Sequence, residues 1–180
     1  MRPAEPGRNA LLDAGSVLLA SADLSKLSVN AVVAEAGMAK GSFYQHWPTR
    51  REYLVALLRN YHERLAGLVT AAMDDAEPGL PRLDAGMTAY LDECLSNPAM
   101  KRMLAQARTD SGLGSEVEAR HTDFAHLATD DLKIIGWDSP EPIAELFVAA
   151  VSEVALQELN AGGPRPDLRE GVRRLLQRNA

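Results

Sequence analysis

Residues Leu27 to Leu54 read LSVNAVVAEAGMAKGSFYQHWPTRREYL. Ser28 is a helix N-cap residue, and Val29, Val32, Val33 and Ala36 follow at helical spacing before Gly37, which can take the left-handed conformation that ends a helix. After Met38 and Ala39 a second short helix runs through Phe43, Tyr44 and Trp47. It must stop there, because the residue before Pro48 is pushed out of helical geometry. Thr49 and Glu52 form a capping box for a long fourth helix that carries Tyr53, Leu54, Leu57, Leu58, Tyr61, Leu65, Leu68, Val69 and Ala72 and reaches Glu77. Two short helices joined by a glycine turn and followed by a long one have the spacing of a helix-turn-helix.

The rest of the chain agrees with this core segment. From Arg8 to Ala22, Leu11, Leu12, Ala14, Leu18, Leu19 and Ala22 recur at spacings of three and four, which predicts an amphipathic helix that packs on the two short ones. Downstream, breakers at 78–81, 97–98, 111–115, 139–142 and 162–166 divide the chain into about five more helices. The helix over 142–160 is apolar around most of its girth and needs cover on two sides. No alternating pattern competes, so the expectation is an all-α protein of about nine helices. A three-helix helix-turn-helix domain over 1–50 is joined by a long helix to a larger helical domain over 51–180.

The composition narrows the class. In 180 residues, 46% are apolar and 24% charged, and a single cysteine, Cys94, cannot form an internal disulfide. No apolar run approaches the roughly 18 residues of a membrane span, and the first ten residues lack the apolar core of a signal peptide, so a cytoplasmic protein without membrane partners is expected. The net charge of -6 conceals an asymmetry: residues 1–64 carry 8 Lys and Arg against 6 Asp and Glu, and residues 65–180 carry 11 against 19. A polyanion is drawn to the first part and repelled by the second. Lys40, Gly41 and Ser42 bring a cation, backbone N–H groups and a hydroxyl to the start of the third helix, where small residues allow close approach. Tyr44, Gln45 and His46 add hydrogen bonds and an aromatic face, and Arg50 and Ser28 are placed to hold backbone phosphates.

These residues, in this order, resemble the DNA-binding signature of the TetR family of bacterial transcriptional regulators: a Ser or Thr cap, an Ala-Gly turn, a Gly-Ser-aromatic-Tyr recognition helix and a basic-acidic start to helix four. The resemblance extends back over the first helix and covers about 60 of the 180 residues. It implies phosphate contacts at Ser28, Ser42, Tyr44, His46 and Arg50, and base contacts at Lys40, Gly41 and Gln45, with Phe43 in the core. Leu19 and Trp47 stand where the family usually has Phe, and Arg50 where Lys is commoner. Arg2 and Arg8 make only a weakly basic arm for the minor groove. The resemblance further implies double-stranded operator DNA as partner, a homodimer, and a divergent helical domain that binds a small effector. Repression is the commoner outcome in such proteins.

Within the second domain, Met87, Tyr90, Met103, Phe124 and Phe147 are the candidates for lining an effector pocket, with Met100 and Trp137 beside them. Val148, Val151, Ala155, Leu159, Leu168, Val172 and Leu175 are the candidates for a dimer surface, since two apolar helices need cover beyond one small core. His126 and Asp130 share a helix face, but His121 lies off it, so a polar surface is expected and no metal. Cys94, with no cation beside it in sequence, reads as a packed residue rather than a redox sensor. No catalytic motif is present, so no enzyme activity and no cofactor are expected. A second reading, a helical small-molecule carrier or interaction module that leaves its helix-turn-helix unused, differs in lacking steep salt-dependent duplex binding.

Overall fold

The computed structural model describes residues 4–20, 24–109 and 112–177. Among these the chain forms nine α-helices and one 3-10 turn, with no strand. In chain order they are α1 (Ala4–Leu19), the 3-10 turn (Leu24–Lys26), α2 (Val29–Glu35), α3 (Lys40–His46), α4 (Arg50–Asp74), α5 (Leu80–Ser96), α6 (Pro98–Thr109), α7 (Gly114–Ile135), α8 (Pro140–Ala161) and α9 (Pro166–Leu176). No helix of the described residues is long and apolar enough to cross a membrane. The all-α expectation holds. α1 begins earlier than expected, and the Ala22 end of its predicted span lies outside the described residues. Two compact units form: Met1–His62 with Ala99–Val117, and Glu63–Pro98 with Glu118–Ala180. The first half of the continuous helix α4, together with α6, therefore groups with the helix-turn-helix.

In the first unit the punctuation acts as its chemistry requires. Ser28 Oγ accepts the Ala31 N–H at 3.2 Å, which satisfies one of the donors left open at the start of α2. Gly37 takes φ +61, and the chain closes the helix with Met38 N–H donating to Val33 O at 2.8 Å. Thr49 and Glu52 form the capping box, with Thr49 N–H on Glu52 Oε2 at 3.0 Å and Glu52 N–H on Thr49 Oγ1 at 3.2 Å.

Within the largely aliphatic core of this unit sits an aromatic cluster. Phe43 of α3 has its ring 5.1 Å from Tyr53 and 5.7 Å from Trp47, and Trp47 and Tyr53 meet edge to face at 5.0 Å. All three are buried. Tyr53 Oη donates to Leu11 O in α1 at 2.8 Å, and burial pushes its hydroxyl far above the usual tyrosine range, so it stays a donor. The approach is possible because residue 15 of α1 is glycine: a Cβ there would sit 2.0 Å from Tyr53 Oη.

In the second unit α5, α8 and α9 pack on one another. One cluster joins Met87, Leu91 and Cys94 of α5 to Val151, Val154 and Ala155 of α8 and Val172 of α9. Another joins Leu83, Ala125, Ala128, Leu132, Ala144 and Leu176. These clusters cover α8 on two sides, as its apolar girth requires. Gly79, at φ +96, turns the chain into α5 and donates its N–H to the buried carboxylate of Asp131 at 2.7 Å. The fully buried Glu158 of α8 receives both sides of the Arg169 guanidinium, at 2.6 and 2.9 Å, and the Arg165 N–H at 2.9 Å. Arg169 reaches on to Asp92 of α5 at 2.9 Å, so one guanidinium ties three helices together. Burial pushes the Glu158 carboxyl up, but the Arg169 and Arg165 hydrogen bonds and the Arg169 charge together outweigh it and hold the carboxyl below its usual range.

Two expectations follow from these contacts. Gly15→Ala forces Tyr53 off Leu11 and lowers the unfolding free energy by about 1–3 kcal/mol, despite the higher helix propensity of alanine, as read by urea denaturation. Glu158→Ala strands the Arg169 charge and costs about 3–5 kcal/mol at pH 7. Because the folded Glu158 pKa is depressed, its contribution is complete above the unfolded carboxylate pKa of about 4.3 and is lost as pH falls through the folded value. The wild-type advantage over Glu158→Ala in a denaturation series should therefore shrink below about pH 4.

Candidate nucleic-acid interface and apolar cavity

α3 is too short to persist alone, since isolated helices under about 12 residues are marginal in water. It is held by one face: Phe43 is completely buried and Trp47, its C-cap, nearly so. The opposite face is left to solvent. Lys40, Gly41, Tyr44 and Gln45 are all exposed, and Tyr44 keeps 49% of its surface accessible. A Cβ added at Gly41 would have nothing within 4 Å, so the start of α3 is open to close approach. Ser42 and His46 are half-buried; the His46 ring lies 5.5 Å from Trp47, and its Nε2 lies 3.5 Å from where a Cβ on Gly7 would stand. Ser28 is exposed at the start of α2 with its Oγ engaged as the cap.

The guanidinium of Arg50 has an internal task. Its Nε donates to Leu27 O at 2.6 Å and its Nη2 to Leu24 O at 2.5 Å, which ties the 3-10 turn to the start of α4. Two of its five N–H groups are thus occupied by the chain itself. The Leu24 N–H is in turn accepted by Gln106 Oε1 of α6 at 3.1 Å. The motif reading missed this fastening, because it joins residues 82 positions apart. Arg8 lies over the Trp47 ring at 5.5 Å, a cation–π contact, and Arg2 lies outside the described residues. Lys26 and Asn30, which flank Ser28, are also exposed; Lys26 was legible from its charge alone.

The second unit contains an apolar cavity of about 50 Å³, lined by Val69, Met73, Leu83, Gly86, Met87, Tyr90, Phe124, Leu127, Ala128, Phe147, Val148 and Val151. It brings together four of the five sequence-predicted residues: Met87, Tyr90, Phe124 and Phe147. Met103 stands apart from these four. It is buried on α6, which groups with the first unit, and it does not line the cavity; apolar spacing cannot tell which core a helix face joins. The side chain of Met100 lies outside what is described. Trp137 packs on the second cluster and donates Nε1–H to Leu176 O at 3.4 Å. Met73 and Gly86 were missed, although a glycine in mid-helix marks a place where something packs closely. A Cβ on Gly86 would fall 2.9 Å from Met73 Cγ and Sδ.

The dimer candidates differ in their burial within the chain. Val151, Ala155 and Val172 are buried in the chain's own core, Leu168 packs against that core, and Val148 lines the cavity. Leu159 is half-buried, and Leu175 is 71% exposed. On α8 the exposed large apolar residue is Leu146, at 66%. Among the described residues no three His, Cys, Asp or Glu side chains converge on a metal position. Asp123 and Asp130 instead pair with Arg120 and Lys133 one turn away. Cys94 is buried in the α5–α8–α9 cluster.

Comparison with known proteins adds independent findings. Residues 11–57 match the model of bacterial regulatory proteins of the tetR family. The chain is 24% identical over 142 residues to an uncharacterised HTH-type transcriptional regulator of Mycobacterium tuberculosis, covering 79% of this chain and 69% of that protein. Among solved structures, a transcriptional regulator from Rhodococcus sp. RHA1 superposes with TM-score 0.76 at 22% identity, covering 96% of this chain and 93% of that one. A TetR transcriptional regulator from Legionella pneumophila does so with TM-score 0.72 at 14% identity, covering 93% of each. The matched segment is the one that carries the capped α2, the Gly37 turn, the solvent-facing α3 and the start of α4, and with these features residues 11–57 form a DNA-binding segment of the kind found in the tetR family of bacterial regulatory proteins.

Proposed function

We propose that this regulator is a cytoplasmic repressor that binds a palindromic operator as a homodimer and is released by a small-molecule effector. The observation that supports it most is the division of α3 into a buried aromatic face and an open polar one. Two copies of α3, one from each protomer, enter successive major grooves about 34–36 Å apart. Lys40 and Gln45 read base edges beside Gly41, whose lack of a side chain lets the backbone come close. Ser28, Ser42, Tyr44 and His46 hold phosphates and set the register. Arg50 contributes chiefly by fixing the turn that precedes α2, with its remaining N–H groups directed at the backbone. The apolar cavity receives the effector, which binds the released state better and shifts the population by a coupling of about 1–3 kcal/mol. Leu146 and Leu175, the large apolar side chains that α8 and α9 leave exposed, form part of the dimer surface.

Selection on a random duplex library, followed by binding measured at two salt concentrations, tests the reading; an enriched palindrome and a steep salt dependence are expected. Lys40→Ala and Tyr44→Ala should each weaken operator binding by about tenfold or more, with the loss at phosphate contacts lowering the salt slope by about 1, while leaving thermal stability unchanged because both side chains face solvent. Sequence-independent or salt-insensitive binding by the effector-free protein would favour the carrier reading. For the assembly, Leu146→Glu combined with Leu175→Glu should convert the dimer to monomer in sedimentation velocity and abolish cooperative operator binding.

A further inference from the structure

We propose that the cavity takes an uncharged, largely hydrocarbon molecule and discriminates against carboxylates and amines; this deepens, and rests on, the reading of the cavity as the effector site. Of the twelve described lining residues eleven are glycine or carry purely aliphatic, thioether or phenyl side chains, and among them only Tyr90 has a polar side-chain group, a hydroxyl. An ion entering such a site loses its hydration and gains no partner, which costs far more than the apolar contacts return.

The space beside it leads to the same conclusion. A second cavity of about 220 Å³ shares Leu83, Met87 and Phe147 with the first and extends to Asp84, Arg173 and Gln177. Its charges are already satisfied, since Arg173 Nε donates to Asp84 Oδ1 and Arg173 also lies beside Glu170. Among its described lining residues it offers no cation without a carboxylate partner and no lone carboxylate for an amine. What it can receive is further hydrocarbon, or a neutral polar group set against Gln177.

Size constrains the ligand as well. Apolar cavities that admit benzene are about 150 Å³, against about 50 Å³ for the first cavity. Entry therefore requires the shared wall to yield. That wall contains Met87, and Met73 lies over Gly86 on another side; both are unbranched thioethers that re-pack at little energetic cost. A single ring or a chain of a few carbons then fits after one methionine swings, and a longer hydrocarbon passes Phe147 into the second cavity.

The test uses the full-length protein and 4-fluorotoluene observed by fluorine NMR. Its signal should broaden and shift saturably on addition of protein. Toluene and 1-hexanol should displace it at concentrations at least about tenfold below those of benzoate, hexanoate and hexylammonium, reflecting the penalty on buried charge. Ala128→Leu, which fills the cavity, and Gly86→Ala, which drives Met73 into it, should each remove the protein-dependent broadening; using both guards against misfolding of one, and circular dichroism reports which is folded. The inference is overturned if the charged competitors match the neutral ones, or if both variants fold and still broaden the probe signal as the wild type does. Operator release by toluene is measured in parallel. Probe binding with the expected selectivity but without release upholds the ligand class and defeats the effector role, whereas intact operator binding with no probe broadening defeats the ligand class.

Discussion

The hydroxyl of Tyr53, held against Leu11 O across a glycine in α1, is the contact on which the first unit is built. It joins the long helix α4 to α1 at the point where Phe43 and Trp47 of the α3 segment meet the same ring. A seven-residue helix has too few internal hydrogen bonds to offset its ordering entropy. α3 exists because its apolar face is clamped in this aromatic cluster, and for the same reason its other face is rigidly presented to solvent. Gly15 allows the clamp. A helix-interior glycine is worse than alanine by about 1 kcal/mol in propensity, but here any Cβ would occupy the position of the tyrosine oxygen.

The second unit separates its polar and apolar chemistry. Besides Asp131, which holds Gly79, its buried charge lies at Glu158 and Arg169, where a bidentate pair and a backbone N–H satisfy the carboxylate and Asp92 extends the network to α5. A buried pair of this kind contributes little net energy relative to apolar packing, but it penalises any arrangement of the three helices that separates the partners. The cavity, by contrast, is walled among the described residues by apolar side chains and the single hydroxyl of Tyr90. Two methionines and a glycine in that wall give it room to adapt, at a cost in close packing. A polar tie and an apolar hollow thus occur side by side in the second unit, the tie joining α5, α8 and α9 and the hollow lined from α4, α5, α7 and α8.

Much of the architecture was legible in the residues because it rests on local rules. Caps, glycine turns and the proline at 48 act within four or five residues, so the spans of α2, α3 and the start of α4 follow from the sequence, as does the exposure of Tyr44 opposite Phe43. Four cavity residues were found because aromatic and methionine side chains cluster where adaptable apolar space is needed. What sequence could not settle is which apolar faces meet. Met103 carries the same signature as Met87 yet lies in the other unit, and Val151, Ala155 and Val172 look like surface-seeking stripes until α5 and α9 are placed over α8. The fastening of Arg50 and Gln106 on either side of Leu24, and the fit of Glu158 to Arg169, likewise depend on residues brought together from distant positions. Helical periodicity records that a face is buried; only tertiary packing, which is decided by shape complementarity between helices far apart in the chain, determines what buries it.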